Sequence, residues 1–93
     1  MNNYELMYII PSQSTDEEKE AQIALVNGMI EKDGGTIESV ERIGNKKLAY
    51  EIEKKREGFY VLVNFKAEVS VPNKLGKLLA ITNGIMRFII VNK

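Results

Sequence analysis

One α+β domain, a four-stranded antiparallel sheet with two helices on one of its faces, is what this sequence predicts, and three observations predict it. Apolar runs and amphipathic charged runs alternate in the order strand, helix, strand, strand, helix, strand. The first and third strand runs are apolar at both alternating positions, as strands in the middle of a sheet are. The second and third strands are separated only by a short charged stretch, which suits a hairpin, while the other connections contain helices long enough to cross a sheet. At 93 residues the chain makes a single domain spanning 1–93.

The first strand runs from Tyr4 to Ile10 and is stopped by Pro11. Tyr4, Leu6, Tyr8 and Ile10 fall on one side of it, and Glu5, Met7 and Ile9 on the other. Ser14 followed by Glu17 has the spacing of a capping box, and Asp16, Glu17 and Glu18 complement the positive end of a helix dipole. A helix is expected over 15–33, with Ile23, Val26 and Ile30 as its inner stripe and Met29 widening it. Gly28 lies inside that helix, as a tolerated weakness or a point of close packing, and Gly34-Gly35 supplies the left-handed residue that closes it.

Residues 36–52 are rich in β-branched and aromatic side chains but are too many for an ordinary strand. Gly44 marks a bend or bulge, with irregular alternation before it and clean alternation after it. Residues 53–57, EKKRE, read as a hairpin tip closed by Gly58, and 59–66 as the partner strand. Pairing Ile52 with Gly58 would set Tyr50 opposite Tyr60 and Leu48 opposite Leu62 on the helix-covered face, and Ala49 opposite Val61 and Lys47 opposite Val63 on the outer face. Pro72 opens the second helix, with Leu75, Leu78, Leu79 and Thr82 facing inward and Asn83-Gly84 ending it. The last strand covers 85–91 with Arg87 as its one charge. This β-α-β-β-α-β order is the ferredoxin-like arrangement, with the first and third strands central and one sheet face open. Apolar residues on that open face require a partner.

Composition narrows the function. Hydrophobic residues make up 44% and charged residues 28%, as in ordinary soluble domains. The absence of Cys and His removes disulfides, thiolate chemistry, the commonest general base and the commonest metal ligand together. No cofactor, metal or small-molecule substrate is therefore expected, and no enzyme. The carboxylates of EEKE and EKKRE sit in exposed, interrupted charge runs, and no glycine-rich phosphate loop is present. Acylphosphatases share this topology but bind phosphate with an Arg near the first strand, where this chain has Pro-Ser-Gln-Ser-Thr. No apolar run approaches the roughly 18 residues of a membrane span. The segment MNNYELMYII lacks the basic start of a signal peptide, so a cytoplasmic protein is expected. Thirteen cations balance thirteen anions, so any attraction to nucleic acid has to come from a local cluster.

The candidates for such a cluster are few. Lys46 and Lys47 can pair with phosphates or with acidic groups on a protein, or can simply discourage edge-to-edge aggregation. Arg87, alone among Ile85, Met86, Phe88, Ile89 and Ile90, either recognises phosphate or pairs with Glu5 or Glu51. Lys54, Lys55 and Arg56 form a solvated tip and are secondary candidates. Tyr4, Tyr50 and Tyr60 suit core packing better than base stacking, and the third strand lacks the aromatic segment of common single-strand RNA readers.

The segments YELMYII, GNKKLAYEI, Gly58-Phe59-Tyr60 and IMRFIIV together resemble the bacterial small-subunit ribosomal protein S6 family over essentially the whole chain. That resemblance implies a ribosomal, non-catalytic protein that binds the central domain of small-subunit ribosomal RNA as a heterodimer with ribosomal protein S18. Taken with it, Asn3, Tyr4, Lys47, Lys54, Arg87 and Lys93 are the candidates for RNA contact, and Lys46, Lys47, Ala49 and Glu51 those for the partner protein. Family members often carry basic residues where this chain has Asn2 and Asn3, and many extend in a polar tail beyond the position of Lys93. A protein-only interaction module, using the open face and edge strands, is the alternative from a different class.

Overall fold

The computed structural model describes residues 2–52 and 55–93, with side chains described at all of these except 48–52, 55 and 56. Its elements are β1 (Asn2–Pro11), α1 (Asp16–Lys32), β2 (Thr36–Ile52), β3 (Lys55–Ala67), α2 (Val71–Ala80) and β4 (Arg87–Asn92). They form one antiparallel sheet in the order β2-β3-β1-β4, so β1 and β3 are central and β2 and β4 are edges, as the two-sided apolar runs predict.

Alternation explains how the core is built. Tyr4, Leu6, Tyr8 and Ile10 of β1 and Val61, Val63, Phe65 and Ala67 of β3 are buried on one face. Against them pack Ile23, Val26 and Ile30 of α1 and Val71, Leu75 and Leu79 of α2, in a single apolar cluster. Both helices therefore cover the same sheet face. Arg42 of β2 reaches Glu20 of α1 on that side, and Lys19 lies 4.7 Å above the Phe59 ring, so polar contacts rim the apolar ones.

Helix α1 begins one residue later than the sequence suggests. Ser14 donates its N–H to the Pro11 carbonyl in a tight turn, and extended Thr15 takes the capping position instead. The Thr15 hydroxyl accepts from the Glu18 N–H at 3.1 Å while the Glu18 carboxylate accepts from the Thr15 N–H at 2.8 Å. At the other end Gly34, at φ +87°, donates to Glu31, and Gly35 donates to Ile30, which is the double closure of a Schellman motif. A Cβ at Gly28 would meet nothing within 4 Å, so that glycine is a tolerated weakness and not a packing point.

The register of the β2–β3 hairpin is the main correction. Gly44 lies opposite Tyr60, Lys46 opposite Gly58 and Lys47 opposite Glu57, with Ile52 opposite Lys55. The strands thus run on through most of EKKRE, whose Glu53 and Lys54 lie outside the described residues, and Lys47 does not face Val63. Val61 and Val63 are fully buried under the helices, while Tyr60 and Leu62 stand on the open face, the reverse of the predicted assignment. The physical reason is that β3 is apolar at both parities, so periodicity alone cannot choose its inner side. Charged residues tolerate the strand conformation at the far end of the hairpin because Lys46, Lys47 and Glu57 are all exposed there. Gly44, at φ +105°, sits at one of the register shifts in β2. The shifts at Ile37/Ser39 and Arg42/Gly44 each insert one extra residue and switch which parity faces the core, which is why the alternation is irregular before Gly44. A third shift between Lys47 and Ile52 breaks the pairing after it as well, where the sequence predicts clean alternation.

Two smaller differences concern α2 and β4. The buried positions of α2 are Val71, Leu75 and Leu79, spaced four apart, and Leu78 is turned off that line and 39% exposed. β4 begins at Arg87 and not at Ile85, because the turn at 81–86 takes up the preceding residues before Met86 donates to the Ile9 carbonyl at 2.8 Å. The reassigned register is checked by urea unfolding of two variants: Val63→Ala is expected to cost about 2 kcal/mol, and Leu62→Ala clearly less although it deletes more atoms.

Candidate interaction surface

The open face is built from the opposite parity of the same strands. On it Met7 lies between Leu62 and Ile89, Ile9 between Tyr60 and Arg87, and Glu5 between Asn64 and Val91. The first row is apolar across three strands. Ile89 is 59% and Val91 42% exposed, and a shallow groove of ≈ 170 Å³ runs between Met7, Ile9, Arg87, Phe88 and Ile89.

The third row is polar on β2, β3 and β1, and Lys93, just past the end of β4, bonds into it beside Val91. Asn64 donates to the Ser39 hydroxyl at 3.0 Å, Lys93 donates to the Asn64 carbonyl oxygen, and the Lys93 ammonium is 3.2 Å from the Glu5 carboxylate. The open face therefore has an apolar half bounded by a satisfied polar network at one end and by Arg87 at the other.

The sequence-predicted residues scatter over this frame. Arg87 opens β4 beside Ile9, exposed, on the open face, and Glu5 is engaged by Lys93. Lys46 and Lys47 are exposed on the β2 edge at the same end of the sheet. Three strand spacings, about 14 Å, separate that edge from β4. Lys93 and exposed Asn3 lie at the opposite end, joined by the bond from the Lys93 N–H to the Asn3 carbonyl. Tyr4 is buried on the helix side with its ring 5.6 Å from that of Phe65. It has no ring face to offer a base, and its hydroxyl is shared with Asn2. Lys54 and the side chains of Ala49 and Glu51 lie outside the described residues, as does that of Tyr50. The residues not named as site candidates from the sequence are Met7, Ile9, Leu62, Ile89 and Val91, and the signal for the first three was the two-sided apolar pattern of β1 and β3.

Electrostatics on the covered side are structural. The Arg42 guanidinium holds the Glu20 carboxyl below its ordinary range through two bonds of 2.8 and 2.7 Å, and Glu20 in turn raises Arg42. The bonds with Thr15 likewise lower Glu18. Burial pushes the Tyr8 hydroxyl up and leaves it protonated. Among the described residues no group of three or more His, Cys, Asp or Glu could hold a metal ion, and no helix is long and apolar enough to cross a membrane.

With this geometry in view, comparison with known proteins is decisive: the profile of the family described as "Ribosomal protein S6" matches residues 3–92. The chain belongs to the ribosomal protein S6 family. It is 50% identical over 92 residues to the small ribosomal subunit protein bS6 of Alkaliphilus metalliredigens, covering 98% of this chain and 96% of that one. It is 45% identical to the bS6 of Clostridium novyi, at 99% and 97% coverage. The crystal structure of 30S ribosomal protein S6 from Thermotoga maritima superposes with a TM-score of 0.93 at 33% identity, covering 99% of this chain and 87% of that one. The P2 domain of the chemotaxis kinase CheA from the same organism shares the fold alone, at a TM-score of 0.64 and 17% identity. As a member of the S6 family the chain is a structural, non-enzymatic protein of the small subunit of the cytoplasmic ribosome.

The Glu20–Arg42 pair has a definite pH signature. A carboxyl whose folded pKa is depressed adds stability above its unfolded value and loses it as pH falls through the folded one. Glu20→Gln is thus expected to lower Tm at neutral pH, with the difference from the wild type shrinking on acidification below the ordinary value of 4.5. A difference in Tm that stays constant on acidification would contradict this origin.

Proposed function

We propose that the chain binds the central domain of small-subunit ribosomal RNA together with ribosomal protein S18, as a heterodimer that acts as an assembly scaffold. The observation that carries this reading is the layout of the open face, an apolar half with cations at its ends and on its edge. Met7, Ile9, Leu62, Ile89 and Val91 suit a dry protein contact, flanked on the β2 edge by Lys46, Lys47, Ala49 and Glu51. Arg87, Lys47, Lys54, Lys93 and Asn3 are the candidates for RNA contact, together with the Tyr4 hydroxyl. Aliphatic side chains predominate on the open face, which favours recognition of RNA by shape and phosphate over stacking of splayed bases.

Charge supports the need for a partner. A chain of zero net charge, whose exposed cations are spread over helices and sheet and matched by as many anions, gathers few of them against one RNA surface, so it binds weakly alone and with a shallow salt dependence. A basic partner seated on the open face supplies further phosphate contacts. The alternative, a protein-only module, is favoured by the same apolar row, which by itself needs no RNA.

Titrating a central-domain RNA fragment with this chain, with S18 and with both distinguishes the two. The pair is expected to bind at least about tenfold more tightly than either protein, and Arg87→Ala or Lys54→Ala to reduce the salt slope by about 1 while leaving the heterodimer intact. Equal RNA affinity with and without S18 would overturn the proposal. Loss of the heterodimer alone in those variants would favour the module.

A further inference from the structure

Two asparagines of this chain precede glycine, Asn27 and Asn83, and the fold treats them oppositely. Asn27 and Gly28 lie in the interior of α1, where the Gly28 N–H belongs to the helix ladder. Asn83 and Gly84 are exposed in the turn between α2 and β4, with Gly84 at φ +93°. Among the described residues no carbonyl accepts the Gly84 N–H. We propose that Asn83 is a site of spontaneous conversion to aspartyl and isoaspartyl residues through a succinimide, and that Asn27 is shielded from the same chemistry.

The step needs the backbone nitrogen of the following residue as nucleophile. The Gly84 nitrogen gives its proton to solvent base and forms a bond to Asn83 Cγ. The Cγ–Nδ2 bond breaks and ammonia leaves, closing the succinimide. Solvent water then opens the ring. Attack at Cγ gives aspartate, and attack at the main-chain carbonyl gives isoaspartate, with the chain now running through Cβ and Cγ.

Three features of the turn promote this route. The Gly84 nitrogen is unengaged by other carbonyls and has no neighbouring Cβ to obstruct it. Gln22 donates its Nε2–H to the Asn83 carbonyl at 3.0 Å, drawing electron density from the same peptide group and easing loss of the Gly84 proton. The fold also requires glycine there. A Cβ at Gly84 would fall onto the Gln22 side chain, 2.9 Å from Cδ and closer still to Nε2, and the positive φ disfavours any other residue. Packing of α1 against the turn thus maintains the reactive dipeptide.

Isoaspartate adds one backbone atom between the Cα of residue 83 and the nitrogen of Gly84. The turn is pinned on both sides, by Gln22 on the Asn83 carbonyl and by the Met86 N–H on the Ile9 carbonyl. Conversion therefore loosens the entry to β4, the strand that carries Arg87, and adds a negative charge near it.

The test is peptide mapping by electron-transfer fragmentation of the purified folded chain, incubated at mildly alkaline pH in heavy-oxygen water. Asn83 is expected to gain the label and the one-dalton shift of amide-to-acid conversion, with isoaspartate present. Asn27 is expected to convert at least roughly tenfold more slowly, because α1 must open first. In denaturant the two sites are expected to convert at similar rates. An Asn83 that keeps its amide in the folded chain while the denatured chain converts would overturn the proposal, as would equal conversion of Asn27 and Asn83 in the folded chain.

Discussion

The structure depends on one constraint, that all fourteen members of the buried apolar cluster lie on a single side of the sheet or in the helices that cover it. Six helical residues and eight from β1 and β3 interlock there, and hydrophobic burial of this layer is the largest favourable contribution to the stability of the domain. Because the central strands are apolar at both parities, the same constraint leaves a second, uncovered apolar row on the other face. A domain of this size cannot bury both faces with two helices.

The uncovered face is where a general fold becomes a particular protein. The CheA P2 domain shares the topology at low identity, so the arrangement of strands and helices does not by itself specify a ribosomal role. What differs between such proteins is the surface. Here a satisfied polar network of Ser39, Asn64, Glu5 and Lys93 closes one end of the open face, Arg87 stands at the other, and β2 carries Lys46 and Lys47 along its edge. The edge cations also protect an unpaired strand from association with its like. The buried core and the open face thus occupy separate sides of one sheet, and substitutions on the open face leave the core packing in place.

The legibility of these features in the sequence followed their range along the chain. The helix closure at Gly34-Gly35, the bend at Gly44 and the central positions of β1 and β3 were readable because each rests on local patterns. The α1 cap was misplaced by one residue because Ser14 and Thr15 are both good caps, and the turn from Pro11 chose between them. Leu78 was misread because three of the five residues from 75 to 79 are leucine, and only the tilt of α2 on the sheet decides which of them is exposed. Of the surface candidates, Arg87 and Lys46 were visible as isolated or paired charges, whereas Ile89 and Val91 carried no signal of their own within an apolar last strand.

By itself the sequence determined the element order, the strand and helix identities, the family through GNKKLAYEI and its flanking segments, and the absence of thiol and imidazole chemistry. Tertiary structure decided the hairpin register, the inward side of β3, the division of the open face and the contrast between the two Asn-Gly pairs. The physical reason is that residue type and short-range period act within a few residues. Register and exposure depend on which distant segments exclude water together, and that is settled only when the helices close over one face of the sheet.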